Sequence, residues 1–198
     1  DAPLEVTARN QFNAATTDGS AIVISSIGDL PLGQVNAGTD GDVYLTSGTG
    51  DNIIDADDAT VDVIAKQALF NAAAIGQPDG TANGAIDTQI EFLEAHATAT
   101  DGGVYVTDAD GDLILKDWSG CFGDTDEAVS STTGSIEIVA AGTDSSIGFG
   151  TATTSVASES GDITLTANQD VNLALVNADS DETDPVGNVT ITADADGN

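Results

Sequence analysis

Asp108, Asp110 and Asp112 stand at alternate positions of "DADGD", around Gly111. Alternating carboxylates about a glycine resemble an oxygen-ligand calcium loop, in which a hard cation collects carboxylate and carbonyl oxygens. "DADDAT" (55–60), "NADSDETD" (177–184) and "DADG" (194–197) are acidic turns of the same flavour. None has the downstream bidentate Glu of an EF-hand, and the nonapeptide calcium repeat is absent. The competing reading is that Asp is a good turn residue whose carboxylate stays in water. Calcium at Asp108, Asp110 and Asp112 and plain solvated turns are the two expectations.

Other reactive residues are sparse. His96 is the single histidine and has no Cys or His partner at metal-ligand spacing, so no transition-metal site is expected. Cys121 is the single cysteine, which rules out an intrachain disulfide. It lies between Gly120 and Gly123 with Trp118 nearby, as a lone thiol of no assigned role. Asn188-Val189-Thr190 matches a glycosylation acceptor but falls within a predicted strand. Polysaccharide lyase chemistry would need a cationic base, and only Arg9, Lys66 and Lys116 are basic. A glycoside hydrolase would need a paired-carboxylate cleft, and one Trp and two Tyr make a poor sugar platform. No enzymatic activity is expected. Thr46, Thr107, Thr166 and Thr192 recur at one phrase position, as in an ice-binding ladder, but Tyr44, Tyr105, Glu137 and Val139 interrupt it.

The formal charge of −31, from 34 acidic and three basic residues, excludes a phosphate-binding surface and docking on anionic lipid. Such a surface repels itself, stays soluble and attracts cations. A hydrophobic fraction of 40% in short alternating runs favours order over the disorder that acid excess can bring. No apolar run approaches membrane-spanning length. The chain has no Met and no signal-peptide pattern at Asp1, and reads as a processed chain or an excerpt of a longer repeat protein.

The elements that hold these turns come from a repeated phrase: Gly, a small or acidic residue, then apolar, any, apolar, and often Thr. It reads "GSAIVIS" at Gly19, "GDVYLTS" at Gly41, "GGVYVTD" at Gly102, "GSIEIVA" at Gly134, "GDITLTA" at Gly161 and "GNVTITA" at Gly187. The glycines are spaced by 22, 61, 32, 27 and 26 residues, and periods in the twenties indicate a solenoid. A second short apolar run follows each phrase, such as "GDLPLGQV" (28–35), "GDLILKDW" (111–118) or "QDVNLALV" (169–176). Alternation at period two places Val43 and Leu45, Val104 and Val106, Ile163 and Leu165, and Val189 and Ile191 inward, in ladders from coil to coil. Residues 59–99 read either as helix, from their Ala content and a stripe through Val61 and Ala72, or as further strands. Strands are favoured, because a coil would otherwise be missing. Loops are expected at 76–84 and 119–134, the latter as a lateral protrusion.

"GDITLTA…QDVNLALVNA…GNVTITA" and the segment "AIDTQIEFLEAHATATDGGVYVTDADGDLIL" resemble the repeats of large bacterial exoproteins of the filamentous-haemagglutinin and autotransporter-adhesin type. The resemblance implies a right-handed parallel β-helix, secretion, and a cell-surface role as adhesin or stalk. Its loops are unusually acidic for that family. The expectation is one all-β solenoid domain over 1–198, of about eight coils. It would be extracellular, and its partners would be neighbouring repeats, further copies of itself, or host or surface glycans. The alternative is a filament subunit that stacks end to end, since open solenoid ends expose unpaired strand edges.

Overall fold

The computed structural model describes residues 12–15, 21–56, 60–78, 84–118, 127–151, 153–180 and 187–194. Every regular element among them is a strand. The first six are β1 (Phe12–Ala15), β2 (Ile22–Ser25), β3 (Leu30–Asn36), β4 (Asp42–Thr46), β5 (Ile53–Asp55) and β6 (Val63–Ile64). Next come β7 (Gln67–Ala72), β8 (Ile86–Gln89), β9 (Phe92–Ala97), β10 (Val104–Asp108), β11 (Leu113–Leu115) and β12 (Glu127–Ser131). The last six are β13 (Ile136–Ala140), β14 (Ile147–Phe149), β15 (Ser155–Ser158), β16 (Ile163–Ala167), β17 (Leu175–Asn177) and β18 (Val189–Thr192).

The strands form two nine-stranded sheets. One runs β1-β3-β6-β8-β10-β13-β16-β18 with β5 beside β3; the other runs β17-β15-β12-β9-β7-β4-β2 with β11 on β9 and β14 on β11. Pairing is parallel throughout, and the chain passes back and forth between the sheets, as in a β-solenoid. Parallel strands suit this winding because each returns only after a full circuit.

The inner faces interlock as aliphatic ladders. In the first sheet Val104, Ile136, Ile163 and Val189 stack, as do Val106, Ile138, Leu165 and Ile191. In the second, Leu45, Phe70, Ala95, Val129 and Val156 stack. All of these but Val189 and Ile191 are buried in one continuous core. Those two, expected to be buried, are 44% and 40% exposed, because β18 is the edge of its sheet and no further strand among the described residues covers it.

Three further expectations change. Val43 and Leu45 do not share ladders with the later phrases, since β4 lies in the second sheet and β10, β13, β16 and β18 in the first. Both sheets present the same inward alternation, so the phrase marks a strand without saying which wall it joins. Thr46 is separated from Thr107, Thr166 and Thr192 for the same reason, and Val139 breaks the column those three occupy. Residues 127–131 of the expected 119–134 protrusion are strand β12, whose Ala128, Val129 and Ser131 are buried; 119–126, with Cys121, lie outside the described residues, as does Arg9. Residues 59–99 contribute strands β6 to β9, as expected. The helical stripe yields because Ala68, Phe70 and Ala72 face the core, where they stack on β4 and β9.

The phrase glycines have a packing role. A Cβ on Gly134 would run into the carbonyl of Gly102, one on Gly161 into that of Gly134, and one on Gly187 into that of Gly161. Backbone meets backbone in this column, and only hydrogen fits.

Candidate functional site

The acidic corners perform a repeated structural task. The residue that leads a strand is often Asp, and its carboxylate accepts the backbone N–H of the equivalent residue one coil on. Asn52 N–H donates to Asp29 at 2.8 Å, Asp87 N–H to Asp62 at 2.9 Å, Ser146 N–H to Asp112 at 2.9 Å and Asn188 N–H to Asp162 at 2.7 Å. Asn188 Nδ2 also donates to Asp162 Oδ1 at 2.9 Å, so the Asn188 side chain is held within this staple. The paired donors from Asn188 hold the Asp162 carboxyl below its ordinary range.

These contacts decide how the "DADGD" carboxylates stand. Asp108 falls on the inward parity of β10 and is fully buried, between Thr88 and Ala140 in the ladder. Its Oδ1 accepts from Thr88 Oγ1 and from Ile90 N–H, each at 2.9 Å, while Oδ2 has no partner. Burial pushes its carboxyl up to about 7, against the pull of the donors from Ile90 and Thr88 and of the nearby Asp110 N–H; the Asp110 charge raises it further. Asp112 is engaged with Ser146, and Asp110 is exposed. One carboxylate is thus committed to the interior, one to the next coil and one to water. Among the described residues no group of three His, Cys, Asp or Glu side chains could hold a metal ion.

A second constellation lies on the outer face of β9. Leu93, Ala95 and Ala97 point into the core, so Phe92, Glu94 and His96 point outward. Glu94 and His96 are nevertheless buried. His96 Nε2 lies 3.0 Å from Glu94 Oε1, and Glu94 Oε2 accepts the backbone N–H of Trp118 at 2.8 Å. His96 Nδ1 lies 2.8 Å from Ser130 Oγ, on the strand stacked one coil further. Beside them Lys116 Nζ sits 5.1 Å from the Phe92 ring centre and 5.2 Å from that of Trp118, and the two rings meet edge to face. One of the few cations is thereby held against aromatic faces.

Ser130 opens onto a groove of about 250 Å³ that Thr98, Glu127, Thr132, Glu159 and Ser180 also line. Burial raises the Glu127 carboxyl above its ordinary range, against the pull of His96 and Ser130; the Glu159 charge raises it further. The Glu-x-His spacing in "FLEAHA" was readable as two side chains on one strand face. The serine was not, because it lies 34 residues downstream and reaches His96 only through the register of β12 on β9.

No family model matches the chain, and no curated protein or solved structure matches it.

Proposed function

We propose that the chain is a non-enzymatic, extracellular structural or adhesive segment, a rigid stalk whose loops form the variable surface. The observation that carries this reading is the continuity of the two parallel sheets over a single core, with staples from coil to coil. Such a body resists bending, because a bend must break ladder bonds and staples together. A right-handed winding of about eight coils, at roughly 4.8 Å each, gives a rod on the order of 40 Å long. The fitting partners are neighbouring repeats and, for the loops, surface glycans. Small-angle scattering tests the stalk: a rod-like cross-section profile is expected, and the profile of a sphere would overturn it. Binding to glycan arrays and cell surfaces then separates adhesin from plain spacer.

A second reading, a filament subunit, is favoured by the face at β17 and β18. Leu173, Leu175, Val189 and Ile191 are 40–54% exposed there, beside two strand edges that have no partner among the described residues. A further parallel coil would cover them, and a second copy is one source of such a coil. Sedimentation of the chain at high salt, where repulsion between copies is screened, should show elongated oligomers. Leu175→Glu with Ile191→Glu should abolish them.

A further inference from the structure

We infer that Ser130 is an activated nucleophile, headed by a Glu94–His96–Ser130 relay and open to acylation by activated esters that are uncharged or cationic. This goes beyond the stalk reading and does not depend on it, because the acyl group is retained on the chain rather than turned over. An ionised Glu94 can only accept, so the 3.0 Å contact places a hydrogen on His96 Nε2. In the neutral ring Nδ1 is then the acceptor, and it faces Ser130 Oγ at 2.8 Å. Trp118 N–H fixes the far oxygen of Glu94, so the base is oriented by a third group that is itself held. Ala157 stacks on Ser130 one coil on and adds only a methyl group, which leaves the hydroxyl open to the groove.

Glu127 bears on this relay, because it lines the same groove as Ser130, whose hydroxyl pulls on its carboxyl. As a carboxylate it takes the serine hydrogen and competes with His96. As a neutral acid it donates to Oγ and leaves that hydrogen to Nδ1. Burial raises its carboxyl above the ordinary range, so the neutral form persists to higher pH than in an exposed Glu. Among the described residues, Glu94, Glu127 and Glu159 are acidic groups around the serine and histidine, and Glu127 and Glu159 line the groove itself. Anionic esters are therefore excluded.

In the reaction the Ser130 Oγ–acyl carbon bond forms and the bond from that carbon to the leaving oxygen breaks. The Ser130 proton passes to His96 Nδ1 and from there to the departing alcohol. The N–H of Thr132 is already taken by the Ala97 carbonyl, and the β12 backbone is engaged in its ladder, so among the described residues no pair of amides is aimed at an oxyanion. Acyl-Ser130 is accordingly expected to form from activated esters and to hydrolyse slowly.

The test is labelling of the native chain with an uncharged alkyl fluorophosphonate, which forms a P–O bond at Oγ and releases fluoride. One probe per chain, mapped to Ser130, is expected, and none in Ser130→Ala. Glu94→Gln lets an amide donate to Nε2 and moves the ring hydrogen to Nδ1, which should slow labelling on the order of a hundredfold. Glu127→Gln should retain labelling and extend it to higher pH. Labelling of Ser130 no faster than of other serines, or an unchanged rate in a folded Glu94→Gln, would overturn the proposal. If Glu94→Gln does not fold, the wild-type chain in denaturant decides: labelling must vanish on unfolding, and its persistence would equally overturn the assignment.

Discussion

At the scale of single residues, Asp108 shows what the core does to a carboxyl. It stands in a ladder whose other rungs are Val35, Val63, Thr88, Ala140 and Ala167, with two donors on one oxygen and none on the other. Its folded-state value of about 7 lies above the ordinary 3.8, so the folded chain binds more protons between those values. Stability therefore falls as pH rises from about 4 through about 7, and then levels off; the span corresponds to roughly 4 kcal/mol. Asp108→Asn keeps an acceptor for Thr88 and Ile90 without a charge. Thermal melts of both chains across this range should show the difference between them closing at low pH. Above pH 7 the variant should be the more stable by about 1–3 kcal/mol. Parallel curves would mean that Asp108 does not titrate in this window.

At the scale of elements, the same physics recurs at every coil: side-chain parity sets the inside, and close backbone approach sets the stack. Leu165 is fully buried, and its neighbour Thr164 faces outward. Leu165→Asp would bury an unpaired charge and should cost several kcal/mol in a denaturant melt. Thr164→Asp should stay within about 1 kcal/mol; equal tolerance of the two would show the register of β16 to be wrong. Gly161→Ala tests the stack itself. Its methyl meets the Gly134 carbonyl, and the coils must part, at a cost of about 1–3 kcal/mol. Gly28→Ala, where no atom lies within 4 Å of the added carbon, is the control and should change stability far less.

At the scale of the whole molecule, a charge of −31 sets the solution behaviour. Carboxylates at successive corners repel along the stacked sheets and between molecules, and salt relieves that repulsion as the screening length shortens. Because Asp29, Asp62, Asp112 and Asp162 already hold backbone N–H groups, calcium is expected to act by screening. Melting temperatures should then follow ionic strength for sodium and calcium alike, without saturation. A saturable, chelator-reversible gain at low calcium, lost in Asp110→Asn, would instead establish a calcium loop at Asp108, Asp110 and Asp112.

Most of the strands, their inward parity and the concentration of acid at the turns were legible in the sequence, although β12 stands in a stretch expected as loop. These are local properties: a period of two follows from strand geometry, and Asp and Gly mark corners wherever they cluster. It also carried the coil period, through the glycines that touch from Gly102 to Gly187. Which wall each strand joins emerges only when the strands stack, because it depends on how many strands and how much loop intervene. The tertiary structure therefore also decided that Val43 and Val104 lie in different sheets, that Asp108 is buried while Asp110 is not, and that His96 meets Ser130. Each of these is a relation between coils, and stacking, which a single phrase cannot encode, is what creates it.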